Sequence, residues 1–139
     1  MKGKWTGKYW FSGKIPDVLK GRKTEFELII DNFSNSKISG KIADNIKTGG
    51  TKGIGTIQGT VKGNKIKFVK RMPVSTAILK DGTRIEENKP HRPIYYKGII
   101  DYKTGSIKGT WRFKIGFGLI KGRFAFFPGT YGEWEMKQA

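Results

Sequence analysis

Along most of this chain apolar and polar residues alternate with a period of two, the spacing that sends successive side chains to opposite faces of a β-strand. "KWTGKYWFS" sets Trp5, Gly7, Tyr9 and Phe11 against Lys4, Thr6 and Lys8. "TEFELIID" sets Phe26, Leu28 and Ile30 against Glu25 and Glu27. "KISGKIAD" puts Ile38, Gly40, Ile42 and Asp44 in one phase, and "GTIQGTVK" does the same for Ile57, Gly59 and Val61. The pattern continues with Ile66, Phe68 and Lys70 in "KIKFVKR", then with Ile94, Tyr96, Gly98 and Ile100 in "IYYKGIID". "SIKGTWRF" aligns Ile107, Gly109, Trp111 and Phe113, and "YGEWEMK" sets Trp134 and Met136 against Glu133 and Glu135. Helical periodicity is not convincing anywhere.

Short turn-forming stretches separate several of these segments. "KGNK" (62–65), "YKTGS" (102–106) and "FPGT" (127–130) predict tight hairpin turns. Three connections are longer. Residues 13–23 predict one helical turn after Pro16, residues 45–53 a flexible glycine-lysine loop, and residues 73–93 a separate hairpin folded around "KDGT". The expected architecture is a single all-β domain over residues 1–139, a closed antiparallel up-and-down β-barrel of eight to ten strands. Closure removes the exposed edges that so many short strands would otherwise leave.

Two features support a closed sheet. Glycine weakens a strand interior by roughly 0.5–1 kcal/mol relative to alanine. Yet apolar-x-Gly-x-apolar recurs in "ISGKI", "IQGTV" and "IKGTW". An inward glycine lets a sheet bend sharply or lets a bulky neighbour cross the pleat. Charge supplies the second feature. If the first and last strands pair, Lys4 and Lys8 lie beside Glu133 and Glu135, and Glu25 and Glu27 flank the first strand on its other side. Opposite charges across strands contribute roughly 0.2–1 kcal/mol each.

Gly3-Lys4-Trp5 matches the G-x-W of the first strand in lipocalins and avidins, and with the meander the chain resembles these calycin-type small barrels. The resemblance implies a barrel with a lumen often used for a small ligand. It also implies that Trp5 closes one barrel end near an arginine from a late strand, with Arg112 and Arg123 as candidates. The avidin residues that hold biotin have no convincing counterparts here, the lipocalin disulfide is excluded, and no lipocalin-type signal peptide is expected.

Composition narrows the chemistry. There is no cysteine, which excludes disulfides, thiolate metal sites and cysteine nucleophiles and favours a reducing, cytoplasmic location. No apolar run follows Met1 and none is long enough to span a membrane. His91, the lone histidine, stands in the proline-pinned "KPHRP" and reads as a solvated loop residue, since a general base needs an orienting partner. Glu86 and Glu87 are adjacent and point apart. Gly53-x-Gly55 lacks the spacing of a dinucleotide fingerprint, and there is no Walker A motif or G-x-S-x-G elbow. No enzymatic activity, cofactor or metal is expected.

Binding is the remaining expectation. Lys70 lies in phase with Ile66 and Phe68, so it points inward, where an unpaired ammonium costs several kcal/mol. It pairs with Asp44, snorkels to water at a strand end, or faces an anionic ligand group. Tyr9, Phe68, Tyr96, Trp111 and Phe113 share the inward phase. Gly7, Gly40, Gly59, Gly98 and Gly109 each remove an interior side chain, either making room for aromatics or leaving a cavity. The leading expectation is a binding module whose lumen takes a small apolar or amphipathic molecule at Lys70, Asp44 and these aromatics. The apolar "IGFGLI" (115–120) would cap one barrel end or line its mouth. The alternative follows from a net charge of +17, which attracts nucleic acid or another polyanion. Trp10 and Tyr95, outward among lysines, suit stacking of single-stranded bases.

Overall fold

The computed structural model describes residues 1–13, 21–50, 52–73, 75–78, 84–87, 93–112, 116–120, 123–127 and 131–139. For 75–78, 84–87, 116–120 and 123–127 it describes the backbone. Eight strands close into one antiparallel barrel: β1 (Gly3–Phe11), β2 (Thr24–Ser34), β3 (Lys37–Asp44), β4 (Ile54–Lys62), β5 (Lys65–Arg71), β8 (Ile94–Asp101), β9 (Ser106–Arg112) and β12 (Tyr131–Gln138). Each pairs with its neighbour in that order, and β12 returns to β1. Two hairpins are set into the connections: β6 (Ser75–Ile78) with β7 (Arg84–Glu87), and β10 (Gly116–Ile120) with β11 (Arg123–Phe127). The 73–93 hairpin agrees with the expectation. Most of "IGFGLI" makes up strand β10, paired with β11. The helical turn after Pro16, His91, Phe113 and the turns around "KDGT" and "FPGT" lie outside the described residues.

The antiparallel order puts three tight turns at one end and four long connections at the other. The β2–β3 turn is Asn35-Ser36, with φ of 52° and 65°. Positive φ at both central residues is the type I′ geometry that matches strand twist. Gly63, at φ 60°, opens the β4–β5 turn. The charge argument for closure holds in the ladder. Lys8 stands directly opposite Glu135 on β12 and Glu25 on β2, and Lys4 Nζ lies 3.5 Å from Glu27 Oε1. Glu133 faces Trp10 and accepts its indole N–H at 2.9 Å.

The alternation places the core where it was expected. Phe26, Leu28, Ile30, Ile38, Ile42, Ile57, Ile66, Phe68, Tyr96, Ile107, Trp111 and Trp134 are all buried. Many of the inward glycines stand beside aromatic rings. Several face an aromatic residue directly across the ladder: Gly7 faces Phe26, Gly59 faces Phe68, Gly109 faces Trp134, and Gly132 faces Trp111. A Cβ at Gly7 would come within 2.5 Å of Phe26 Cζ, and one at Gly132 within 2.6 Å of two Trp111 ring atoms. Trp111 therefore fills the space of Gly132. Gly109, opposite Trp134, lies against the β8 backbone at Lys97 and Gly98, and the Trp134 ring reaches across to Gly98, where an added Cβ would lie 2.8 Å from Trp134 Cζ2. Its indole N–H donates to the Lys97 and Thr110 carbonyls, each at 3.1 Å. A bare backbone under an aromatic ring is how sheets recover packing lost at a glycine.

Gly109→Ala should test this arrangement. Its Cβ would collide with the Lys97 carbonyl oxygen and come within 2.5 Å of Gly98 Cα, both of them backbone atoms. Overpacking of this kind costs about 1–3 kcal/mol. Urea unfolding should show that loss, whereas Thr110→Ala, at the exposed neighbour, should stay within about 0.5 kcal/mol of the parent.

Candidate functional site

The described candidates of the interior converge at the end that bears the long connections. Tyr9 lies late in β1, Asp44 ends β3, Phe68 is midway along β5 and Lys70 late in it, Tyr96 is early in β8 and Trp111 late in β9. Of the three outcomes open to Lys70, the structure shows the ion pair. Lys70 Nζ stands 2.7 Å from Asp44 Oδ1, with both side chains 1% exposed. Tyr9 donates its hydroxyl proton to Asp44 Oδ2 at 3.0 Å. The ammonium lies 4.8 Å from the Tyr9 ring centroid and 6.0 Å from that of Tyr96, within range of both ring faces. Desolvation lowers the Lys70 pKa from its ordinary 10.5, against the pull of Asp44.

Two aromatic groups flank this ion pair. On one side Trp111 meets the edges of Tyr9 (6.0 Å) and Phe11 (5.2 Å), and Tyr9 stacks on Phe26. On the other, Phe68 and Tyr96 stack at 4.8 Å, and Trp134 meets each of them at 5.5 Å. Phe26 and Trp134 were missing from the expected set. Both share the inward phase of their strands, and that phase was the available signal.

The β3–β4 connection explains the burial of Asp44. Read as a flexible loop, it is instead a capped 3-10 turn over Ile46–Thr48. The Asn45 side chain accepts the Lys47 N–H, and Gly49 closes the turn at φ 104°. The Thr24 hydroxyl donates to the Thr48 carbonyl, and the Glu25 N–H donates to the Thr48 hydroxyl, each at 3.0 Å. These bonds tie the turn to β2. Gly50 is pressed so closely against Asp44 that a Cβ there would strike the Asp44 side chain. Glycine-lysine composition suggested mobility, and the cap at Asn45 overrides it.

The arginine partner implied by the lipocalin resemblance is not Arg112. The Trp5 indole N–H donates to the Met1 carbonyl at 3.0 Å, while Arg112 lies on the outer face with its guanidinium 5.8 Å from the Tyr95 ring centroid.

The outer wall carries two depressions of different chemistry. A larger one, about 770 Å³, crosses β9, β12, β1, β2 and β3 and mixes Glu25, Glu27 and Glu135 with Lys8, Lys108 and Lys137. A smaller one, about 420 Å³, crosses β4, β5, β8 and β9; among its described lining residues the charged ones are Lys67, Lys97 and Arg112, with no carboxylate. Here Lys67 stands directly opposite Lys97. The outward aromatics of the two regions also differ. Trp10 is bonded to Glu133, and Lys23 Nζ sits 4.5 Å from its ring centroid. Tyr95 lines the basic groove.

Among the described residues no group of three or more His, Cys, Asp or Glu side chains is placed to hold a metal ion, and no helix is long and apolar enough to cross a membrane. The chain matches no protein-family model, no curated protein and no solved structure.

Asp44→Ala leaves the Lys70 ammonium buried without its carboxylate, a loss of about 3–5 kcal/mol. Urea unfolding should register it, and Lys70→Met combined with Asp44→Leu should recover most of it. Stability at alkaline pH tests the neighbouring tyrosine. Burial first, then the Tyr9 and Asp44 charges, raise the Tyr96 pKa well above 10.0. The folded state therefore holds this proton more tightly than the unfolded chain. That contribution is complete below pH 10.0 and is lost as pH rises through the folded value. Lys70 acts in the opposite sense, adding stability as pH rises towards 10.5. Tyr96→Phe, with no proton to lose, should lose stability less steeply above pH 10.0 than the parent protein in pH-dependent melts.

Proposed function

We propose that this protein is a non-enzymatic binding module that engages a polyanion, nucleic acid foremost, on the basic half of its outer wall. The observation that carries this reading is the distribution of charge around the barrel. β3 presents Lys37 and Lys41 outward, β4 Lys62, and β5 Lys65, Lys67 and Arg71. β8 adds Lys97, and β9 adds Arg112, while Lys108 of β9 faces Glu135 across the ladder. The acidic outward residue among the described positions of these five strands is Asp101, and it is engaged in the β8–β9 turn, accepting N–H groups from Lys103 and Thr104. The carboxylates Glu25, Glu27, Asp31, Glu133 and Glu135 belong to β2 and β12.

Like charges directly opposite one another on a sheet destabilise it. Lys67 faces Lys97, and Lys62 faces Lys65. One wall of the barrel thus pairs its charges while the other repels itself, the arrangement expected of a surface whose counter-charges arrive with a partner. Two facts favour this wall over the lumen as the place of recognition. Lys70 is already matched by Asp44, and Phe26, Phe68, Trp111 and Trp134 occupy the spaces beside the inward glycines.

Heparin and duplex DNA provide the test. Binding should be detectable at low salt, with log affinity falling linearly against log salt. Lys97→Glu should weaken it and at the same time stabilise the fold by about 0.2–1 kcal/mol, because it converts a repulsive cross-strand pair into an attractive one. Lys137→Glu, on the mixed wall, should leave affinity nearly unchanged. No binding of either polyanion at low salt would remove the proposal.

A further inference from the structure

We infer that the barrel end bearing the long connections docks on an anionic lipid surface, with the β3–β4 connection and the β10–β11 hairpin as its two apolar points of contact. This end is distinct from the basic wall, and its docking does not depend on a polyanion being held there.

At the first point the chain leaves two isoleucines in water. Ile46, in the 3-10 turn, is 58% exposed, and Ile54, the first residue of β4, is 68% exposed. Lys47, Lys52 and Arg22 around them are exposed as well, and the Arg22 guanidinium lies close against Gly49 in the same turn. Residues 45–53 contain no Asp or Glu. Glu25, which the Asn45 amide reaches at 3.5 Å, is opposed by Lys8 across the ladder.

The second point belongs to the β9–β12 connection. Residues 113–130 contain Lys114, Lys121 and Arg123 and again no carboxylate. Within them β10 reads GFGLI and β11 reads RFAFF. The register pairs Phe117 with Phe126 and Leu119 with Phe124, so these four positions share one face of the hairpin. Ile120, Ala125 and Phe127 fall on the other, with Gly116, Gly118 and Arg123. A two-stranded sheet is marginal in water by itself, and among the described residues these strands pair with each other alone. Such a sheet can lay only one face on the barrel. Whichever face that is, the other is apolar too.

Barrel order sets the two points on opposite sides of the rim. β8 and β5 separate them one way round, β1 and β2 the other. Two apolar tips at one end, across the width of a barrel, fit a flat surface. A nucleic acid has no apolar layer to receive them. Apolar residues flanked by lysine and free of carboxylates suit the boundary between lipid headgroups and acyl chains, where each Lys or Arg is drawn to an anionic leaflet. The barrel then stands upright, resting on the surface without crossing it.

Cosedimentation with vesicles of phosphatidylcholine alone, or of equal parts phosphatidylcholine and phosphatidylserine, tests the docking. The protein should bind the anionic vesicles and not the neutral ones. Ile46→Ser with Ile54→Ser should weaken binding about tenfold or more and leave heparin affinity unchanged. Lys47→Ala with Lys52→Ala should weaken it about tenfold or more as well. The chain has no cysteine, so a single label marks one place. An environment-sensitive dye on Ile54→Cys or Leu119→Cys should brighten on anionic vesicles, and one on Asn64→Cys, in the β4–β5 turn at the far end, should not. Residues 46, 54 and 64 are exposed, so their variants report even if the hairpin variant fails to fold. Four results would each overturn the inference: no binding to anionic vesicles at low salt; parental binding by the double isoleucine variant; no brightening at position 54 or, in a folded variant, at position 119; or equal brightening at positions 54 and 64. Heparin binding beside any of them leaves the polyanion reading in place.

Discussion

Everything in this barrel answers to the fixed interior of an eight-stranded closed sheet. That circumference leaves a space that side chains can just fill, and inward residues of uniform size would fill it badly. The chain solves the problem in pairs, with a glycine on one strand and an aromatic ring on the strand beside it. Trp134 is the fullest case. It stands opposite Gly109, its ring reaches Gly98 on the next strand, and its N–H finds two main-chain carbonyls in the wall it crosses. The cost of glycine in a strand is thereby recovered as close contact between a ring and bare backbone.

The same packing accommodates a charge. Lys70 and Asp44 are held between two groups of aromatic rings, with the second carboxylate oxygen taken up by Tyr9. An ion pair so enclosed contributes little net stability compared with an apolar replacement, but either partner alone would be strongly unfavourable. Its effect is to specify arrangement. β1, β3 and β5 must stand in one register for the three groups to meet, and the capped turn after β3 must be in place to cover them. With the interior committed to its own contacts, the unbalanced charge of the molecule is displayed outside.

The alternation of residues disclosed the strands, the inward set and the closure of first strand on last, because each depends only on the face to which a residue belongs. It also put Lys70 and Asp44 in the same interior. What it could not disclose depends on register. That Trp134 meets Gly109 while Trp111 meets Gly132 is decided by which residues stand opposite, and a phase pattern is silent on this. The basic groove is a harder case still. Lys67 and Lys97 are neighbours because β5 pairs with β8, which requires that β6 and β7 stand outside the barrel wall. Along the chain the lysines look evenly spread, and the fold segregates them. The turn at Ile46–Thr48 was hidden for a different reason, since one asparagine cap outweighed the glycine and lysine around it.

The seam between β1 and β12 has a bearing on time as well as on shape. Trp10 and Glu133, joined across it, are 123 positions apart in the chain. Loop-closure entropy grows with the length of chain enclosed, and distant pairings slow folding. Each of the other wall strands finds a partner much nearer along the chain. Trp134 belongs to the seam strand, so this buried ring is made only after β8 and β9, the strands it packs across. Until β12 arrives, the bare backbone at Gly98 and Gly109 has no ring to cover it, and the sheet remains an open ribbon with two unsatisfied edges.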